Sequence, residues 1–164
     1  MSWQVRTFAL LTFSVVLSTT CSRTEDDWRL PIMLGSERDA VRALLGDRTP
    51  CVPGFPSETC ERFPNSGISV EYANNRVSVI TLGGGTADQD FIPYESPIVY
   101  GITIRDHVPA LNRKLGSPTV MDLGPPIRYK WRRPPYLIEV VIETERDGNL
   151  KDKILWVTIT NAVG

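Results

Sequence analysis

Two stretches of the chain place apolar residues at helical spacing, and each ends in a Leu-Gly pair. Residues 31–46 and 101–116 align without a gap and share Ile, Ala, Leu and Gly at matching positions. In both, a residue type that favours helix N-caps precedes the apolar stripe, and a glycine suited to a left-handed C-cap follows it. We therefore predict one short helix in each stretch. The predicted caps are Ser36 and Asp106 at the first turns, and Gly46 and Gly116 at the ends.

Strand-like patterns follow each predicted helix. Apolar and polar side chains alternate in both regions, and dipeptides that favour tight hairpin turns interrupt the alternation. Two antiparallel hairpins are therefore expected. They are residues 67–72 with 76–82 around Asn74-Asn75, and residues 136–144 with a strand from 150 or 153 to 160 around Asp147-Gly148.

These elements predict an α+β fold of two tandem units, each a short capped helix followed by an antiparallel β-hairpin or meander. Residues 31–82 form the first unit and residues 101–164 the second. Residues 83–100 contain a run of three glycines, which is typical of a linker between units. The pattern therefore also predicts an internal repeat.

The N-terminal segment has the pattern of an export signal. Residues 1–20 carry one positive charge, Arg6, ahead of an apolar stretch at residues 8–17. That stretch is shorter than the roughly 20 residues of a transmembrane helix and fits a signal-peptide core. A buried N-terminal helix or strand is the alternative. We assign residues 1–20 to a signal peptide and residues 21–30, which include an acidic run, to a tether.

Cys21 follows this segment directly. Its position resembles the lipobox of bacterial lipoproteins, in which such a cysteine is acylated and becomes the mature N-terminus. Leu17 stands four residues before the cysteine and Thr20 just before it, which departs from the usual box. The competing interpretation is ordinary cleavage after Ser18 or Thr20, with Cys21 as a spare thiol. Acylation would explain an odd cysteine in an exported protein.

The other two cysteines, Cys51 and Cys60, flank a proline-rich loop. In an oxidising compartment they can pair, whereas two free thiols are the alternative. On the chain-entropy model a disulfide closing a loop of this size contributes about 2–3 kcal/mol to stability.

The capped helices that end in Leu45-Gly46 and Leu115-Gly116, each followed by a hairpin, resemble small outer-membrane assembly lipoproteins of the SmpA/OmlA type. They are also similar to the tandem-repeat fold of secreted β-lactamase inhibitor proteins. The resemblance covers roughly residues 31–160 and rests on structural residues. It implies two helix-plus-sheet units side by side and a role in the cell envelope.

Composition, charge and the lack of known motifs argue against several classes of function. The 164 residues are 41% hydrophobic and 23% charged, with a formal net charge of −1. Balanced charge gives no electrostatic attraction to nucleic acid, and no nucleotide-binding, hydrolase or metalloprotease motif occurs. We expect no enzymatic activity, no catalytic residue, no metal, no cofactor, no nucleic-acid partner and no small-molecule substrate. A hydrolase with a convergent site is kept as a third class.

One stretch, residues 128–135, interleaves aromatic and basic side chains. As an exposed patch, Tyr129, Trp131, Arg132 and Arg133 would bind a protein partner, since aromatic residues and arginine dominate binding hot spots. As a half-buried strand, the same alternation would put the aromatic side chains in the core.

The resulting hypothesis is a lipoprotein that faces the periplasm and acts as a protein-interaction module, held to a membrane by acylated Cys21. The alternative is a periplasmic inhibitor or immunity protein that blocks an enzyme or toxin.

Overall fold

The chain folds mainly as β-structure. A computed structural model describes residues 28–51, 59–83, 92–124, 126–144 and 150–162. The helices are α1 (Arg38–Leu45) and α2 (Val108–Leu115), and the strands are β1 (Thr49–Pro50), β2 (Cys60–Phe63), β3 (Ile68–Ala73), β4 (Arg76–Gly83), β5 (Val120–Asp122), β6 (Ile127–Arg133), β7 (Tyr136–Thr144) and β8 (Leu150–Asn161). Among the described residues, no helix has the length and apolar character needed to cross a membrane.

All eight strands belong to one antiparallel sheet in the order β1-β2-β3-β4-β8-β7-β6-β5. The central pair joins β4 to β8, with Val79 opposite Thr160 and Leu82 opposite Val157. The predicted α+β fold of two tandem helix-plus-hairpin units is therefore wrong, because the molecule is mostly one eight-stranded sheet with only two short helices. The backbone N–H and C=O groups of β4 form hydrogen bonds with β8. The strand β4 therefore joins the two halves of one sheet and does not end a separate unit.

The two hairpins form where the sequence places them. Asn74 and Asn75 have φ values of 51° and 61°, the positive values that a two-residue type I′ turn requires. The strands β7 and β8 pair from Tyr136 opposite Asn161 onwards. The predicted turn at Asp147-Gly148 lies outside the described residues.

Both predicted helices are present, but their first turns are capped differently from the prediction. The N-cap residues are Glu37 and His107, and neither side chain bonds to the helix backbone. The Ser36 hydroxyl instead accepts a hydrogen bond from the backbone N–H of Met33, at 3.2 Å. Asp106 likewise accepts one from the N–H of Thr103, at 2.7 Å. Both side chains stabilise the turn before the helix rather than the helix itself.

Glycine ends both helices, with φ values of 79° at Gly46 and 77° at Gly116. The ψ values are −131° and −168°, so the chain leaves each helix extended rather than in the predicted left-handed helical conformation. This combination of positive φ and extended ψ is essentially restricted to glycine.

The hydrophobic core lies on one face of the sheet. Alternate side chains of β2, β3, β4, β8, β7 and β6 are buried there, together with Val41 of α1 and Leu111 and Leu115 of α2. Both helices therefore cover the same face. The largest fully buried side chains of the strands are Trp131, Phe63, Ile68, Ile80, Leu82, Ile138, Ile142 and Ile154.

Candidate functional site

The opposite face of the sheet is covered by no helix among the described residues. We call it the open face and define it by the side chains of β3, β4, β8, β7 and β6 that alternate with the core positions. Its members are Ser69, Glu71, Val79, Thr81, Trp156, Thr158, Thr160, Leu137, Glu139, Val141, Arg128, Lys130 and Arg132.

The part of the open face formed by β4 and β8 carries no charged side chain. Val141 is fully buried there without belonging to the helix-covered core, and its register partner Trp156 is half-buried. The hydroxyls of Thr81 and Thr158 are 3.3 Å apart and form a hydrogen bond across the central β4–β8 pair. Leu137 is also half-buried. The middle of this face is therefore a mixture of apolar and hydroxyl side chains.

Charged side chains border this centre along β6 and at Glu139 of β7. The Glu139 carboxylate accepts a hydrogen bond from Arg128 at 3.0 Å and lies 2.8 Å from the Lys130 amine. Asp122 of β5 stands opposite Arg128 in register. Arg132, the last of the three basic side chains that β6 places on the open face, is exposed. The three basic side chains of β6 on this face therefore outnumber the two acidic ones beside them, Glu139 and Asp122, by one.

Of the predicted surface residues, Tyr129 and Trp131 are buried, with 7% and 1% of their surface exposed. The Trp131 indole N–H donates to the backbone carbonyl of Gly116 at 2.7 Å, which attaches β6 to the end of α2. Neither aromatic side chain can serve as an exposed patch, because the strand alternation turns both toward the helices. The half-buried-strand interpretation describes these two residues.

The two arginines of the predicted patch are both exposed but lie on opposite faces of the sheet. Arg132 stands opposite Leu137 on the open face, whereas Arg133 stands opposite Tyr136 at the core side. The Arg133 guanidinium lies against Gly116, within 2.5 Å of the position that a Cβ atom would occupy there. The structure therefore separates the predicted set of four residues across both faces.

A second group of polar side chains surrounds Glu61, the single charged residue that is buried among the described residues. Glu61 stands on β2 opposite Val70, on the core face. Arg42 contacts its carboxylate at 2.6 Å and Arg38 at 2.9 Å. Arg48 approaches the same carboxylate at 3.3 Å. The Tyr72 hydroxyl donates to the other oxygen at 3.1 Å.

This arrangement keeps Glu61 ionised. Burial alone would raise the pKa of its carboxyl, but hydrogen bonds and coulombic attraction from Arg42 and Arg38 outweigh burial and lower that pKa. The hydrogen bond to Glu61 raises the pKa of Arg42 in turn. Burial, together with the adjacent Glu61 charge, raises the pKa of Tyr72. The cluster is thus a carboxylate surrounded by three guanidinium groups and a neutral phenol.

The predicted cysteine pair lies beside this cluster. The Cα atoms of Cys51 and Cys60 are 5.6 Å apart and their sulfur atoms are bonded to each other. Cys60 precedes Glu61 directly, and Cys51 follows the short strand β1 that begins just after Arg48. The disulfide therefore joins the end of β1, which begins next to Arg48, to the start of β2, which carries Glu61. Cys21 lies outside the described residues.

Sequence reasoning missed the Glu61 cluster. The available signals were the four-residue spacing of Arg38 and Arg42, which puts both on one helix face, and the core-side position of Glu61 in β2. No three His, Cys, Asp or Glu side chains in the described ranges come together in a way that could hold a metal ion.

Comparison with known proteins gives a fold likeness and no family. No protein-family model matches the chain. No curated protein matches it either. A solved structure, the DUF4309 family protein YjgB from Bacillus subtilis subsp. subtilis str. 168, is similar over 77% of this chain and 78% of its own, with a TM-score of 0.51 and 18% identity. This likeness concerns the fold alone. The resemblance to SmpA/OmlA-type lipoproteins and β-lactamase inhibitor proteins is not supported by any of these matches.

Proposed function

We propose that this protein is a non-enzymatic component of the cell envelope that binds another protein through the open face of its sheet. The observation that carries the proposal is the make-up of that face. Its uncharged centre at β4 and β8 is bordered by charged side chains, and protein interfaces have the same division into a charge-poor core and a polar rim.

The charge on the rim indicates the kind of partner. Along β6 the three basic side chains Arg128, Lys130 and Arg132 exceed the neighbouring carboxylates, Glu139 and Asp122, by one positive charge. A partner that presents acidic side chains against β6 would gain steering and orientation from this excess. The half-buried Trp156 and Leu137 supply apolar area next to it. We therefore propose a folded protein with an acidic border around an apolar contact area.

Site-specific photo-crosslinking in the producing cell tests this proposal. A crosslinking amino acid at Thr158, in the centre of the open face, should capture one defined protein. The same amino acid at Arg113, an exposed position on α2, should not capture it. Capture from Arg113 alone, or equal capture from both positions, would contradict a docking site on the open face, as would the absence of any crosslink from Thr158.

The captured protein then allows an affinity measurement with the purified pair. Arg132→Glu should weaken binding by about 2 kcal/mol if Arg132 is a hot-spot residue. Arg113→Glu makes the same charge change on the helical side and should leave the affinity within error. Circular dichroism of both variants checks that each is folded. Equal affinity of wild type and Arg132→Glu would remove β6 from the interface.

A further inference from the structure

The Glu61 cluster opens onto a cavity at the edge of the sheet. The cavity has a volume of about 310 Å³ and is lined by Arg38, Arg42, Arg48, Thr49 and Glu61, with Pro50 and Cys60. That volume is at the lower end of small-molecule pockets, which span about 300–1,000 Å³. It lies beside β1 and α1, and therefore away from the open face.

The lining carries more positive charge than its own carboxylate balances. Among the described residues, the lining holds three guanidinium groups and one carboxylate, that of Glu61. Asp39 touches Arg42 at 3.3 Å from outside the lining, with a side chain 86% exposed to water. With Asp39 counted, the described residues at the pocket still carry one more positive than negative charge, beside the buried carboxylate of Glu61.

Stability does not explain why such a group occupies a core position. Replacing a buried ion-pair cluster by apolar side chains of similar volume is often neutral or stabilising. Glu61 does, however, fix the orientation of the guanidinium groups through its contacts with Arg38 and Arg42. Arg48 is less constrained: its side chain is 46% exposed, and Glu61 is its one acidic partner among the described residues.

We propose that this cavity binds a phosphate group, with Arg48 as the main ligand-binding side chain and Arg42 beside it. Guanidinium groups match phosphate oxygens with paired N–H donors. A phosphate monoester carries a charge of about −1.5 to −2 near neutral pH, and the net positive charge at the pocket would attract it. The phosphate comes either from a free phosphate compound or from a lipid headgroup.

Calorimetric titration of the purified protein with inorganic phosphate, at constant ionic strength, tests the site. Wild type should bind saturably, and Arg48→Ala should bind at least about tenfold more weakly, since a hydrogen bond to a charged group contributes roughly 1.5–3 kcal/mol. Arg105→Ala is the matched control, because Arg105 is exposed and pairs with Glu95 elsewhere. It should bind as wild type does. Thermal unfolding of each variant verifies the fold.

A second arm uses phosphatidylcholine vesicles with and without phosphatidic acid. Arg48-dependent binding in either arm supports the phosphate site. Binding to the vesicles with phosphatidic acid indicates a lipid headgroup, whereas binding of inorganic phosphate alone indicates a free phosphate compound. Binding that is equal in wild type and Arg48→Ala in both arms would overturn the proposal, as would the absence of binding in both.

Discussion

At the scale of single residues, we expect the replacement of Glu61 to have a large effect on stability. Glu61 is the buried carboxylate that three arginines and Tyr72 contact. Removal of one partner from a buried ion pair costs about 3–5 kcal/mol, because the other charge is left uncompensated. We expect Glu61→Ala to lower the free energy of unfolding at neutral pH by about 3 kcal/mol, measured by urea denaturation.

Glu61 should also make stability depend on pH. The pKa of its carboxyl in the folded protein lies below the ordinary value of 4.5, so the unfolded chain takes up the proton first as the pH falls. Stability from Glu61 is therefore fully present above pH 4.5 and is lost as the pH falls through the folded pKa. Below pH 4.5, the free energy of unfolding of Glu61→Gln should therefore change less with pH than that of the wild type.

The control for that pH series is Glu95→Gln, which removes an exposed carboxylate paired with Arg105. It should keep the acid-dependent slope of the wild type. Equal slopes for Glu61→Gln and wild type would mean that other carboxylates govern the acid response.

Residue environments were only partly predictable from the sequence. The alternation of aromatic and basic residues in 128–133 was visible in the sequence. It was compatible with Tyr129 and Trp131 being either exposed or buried, because the sequence does not say which side of the strand faces α2. The Glu61 cluster was not predicted, because Arg38 and Glu61 meet only after β2 enters the sheet. Their contact joins residues that are 23 positions apart, and no local pattern specifies it.

At the scale of elements, Gly67 is the residue on which a tight connection depends. It follows the 3₁₀ turn Pro64–Ser66 and has a φ of 67°. A Cβ atom there would collide with the backbone carbonyl of Ile92 and would lie 2.8 Å from the backbone nitrogen of Tyr94. The segment around residues 92–94 therefore packs directly against this glycine.

Gly67→Ala should lower the free energy of unfolding by about 3 kcal/mol, as the sum of left-handed backbone strain and forced displacement of packed backbone. Gly101→Ala separates the two effects. Gly101 has nearly the same φ, 65°, with open space where the Cβ would be, so the loss there should be about 1 kcal/mol. If urea denaturation gave the same loss of unfolding free energy for Gly67→Ala and Gly101→Ala, the collision with Ile92 and Tyr94 would contribute nothing to stability.

Helices and hairpins were largely predictable because their signals are local. The Asn74-Asn75 turn and the glycines after α1 and α2 each specify a backbone conformation within a few residues. The caps were mispredicted by one residue, since Ser36 and Asp106 bond backward to the preceding turn. Strand order was not predictable, because the pairing of β4 with β8 depends on residues far apart in the chain.

At the scale of the whole molecule, the proposed envelope location depends on Cys21. If that cysteine is acylated, Cys21→Ser should lose the mass of the acyl groups and move from the membrane to the soluble fraction. Stable anchoring requires more than one acyl chain, and the lipoprotein modification supplies them. Mass spectrometry and cell fractionation measure both effects. A wild-type protein that fractionates as soluble and begins at a residue other than Cys21 would contradict anchoring.

The central position of β8 has a consequence for how the chain folds during synthesis. The strands β1 to β4 leave the ribosome first, and the backbone groups along the edge of β4 have no strand to pair with until β8 follows. That pairing spans 81 positions between Val79 and Thr160, so its loop-closure entropy delays it relative to the hairpins. Until then β4 is an unprotected sheet edge that can pair with other chains. A nascent chain released before β8 would therefore be prone to aggregation, and the final strand ends that risk.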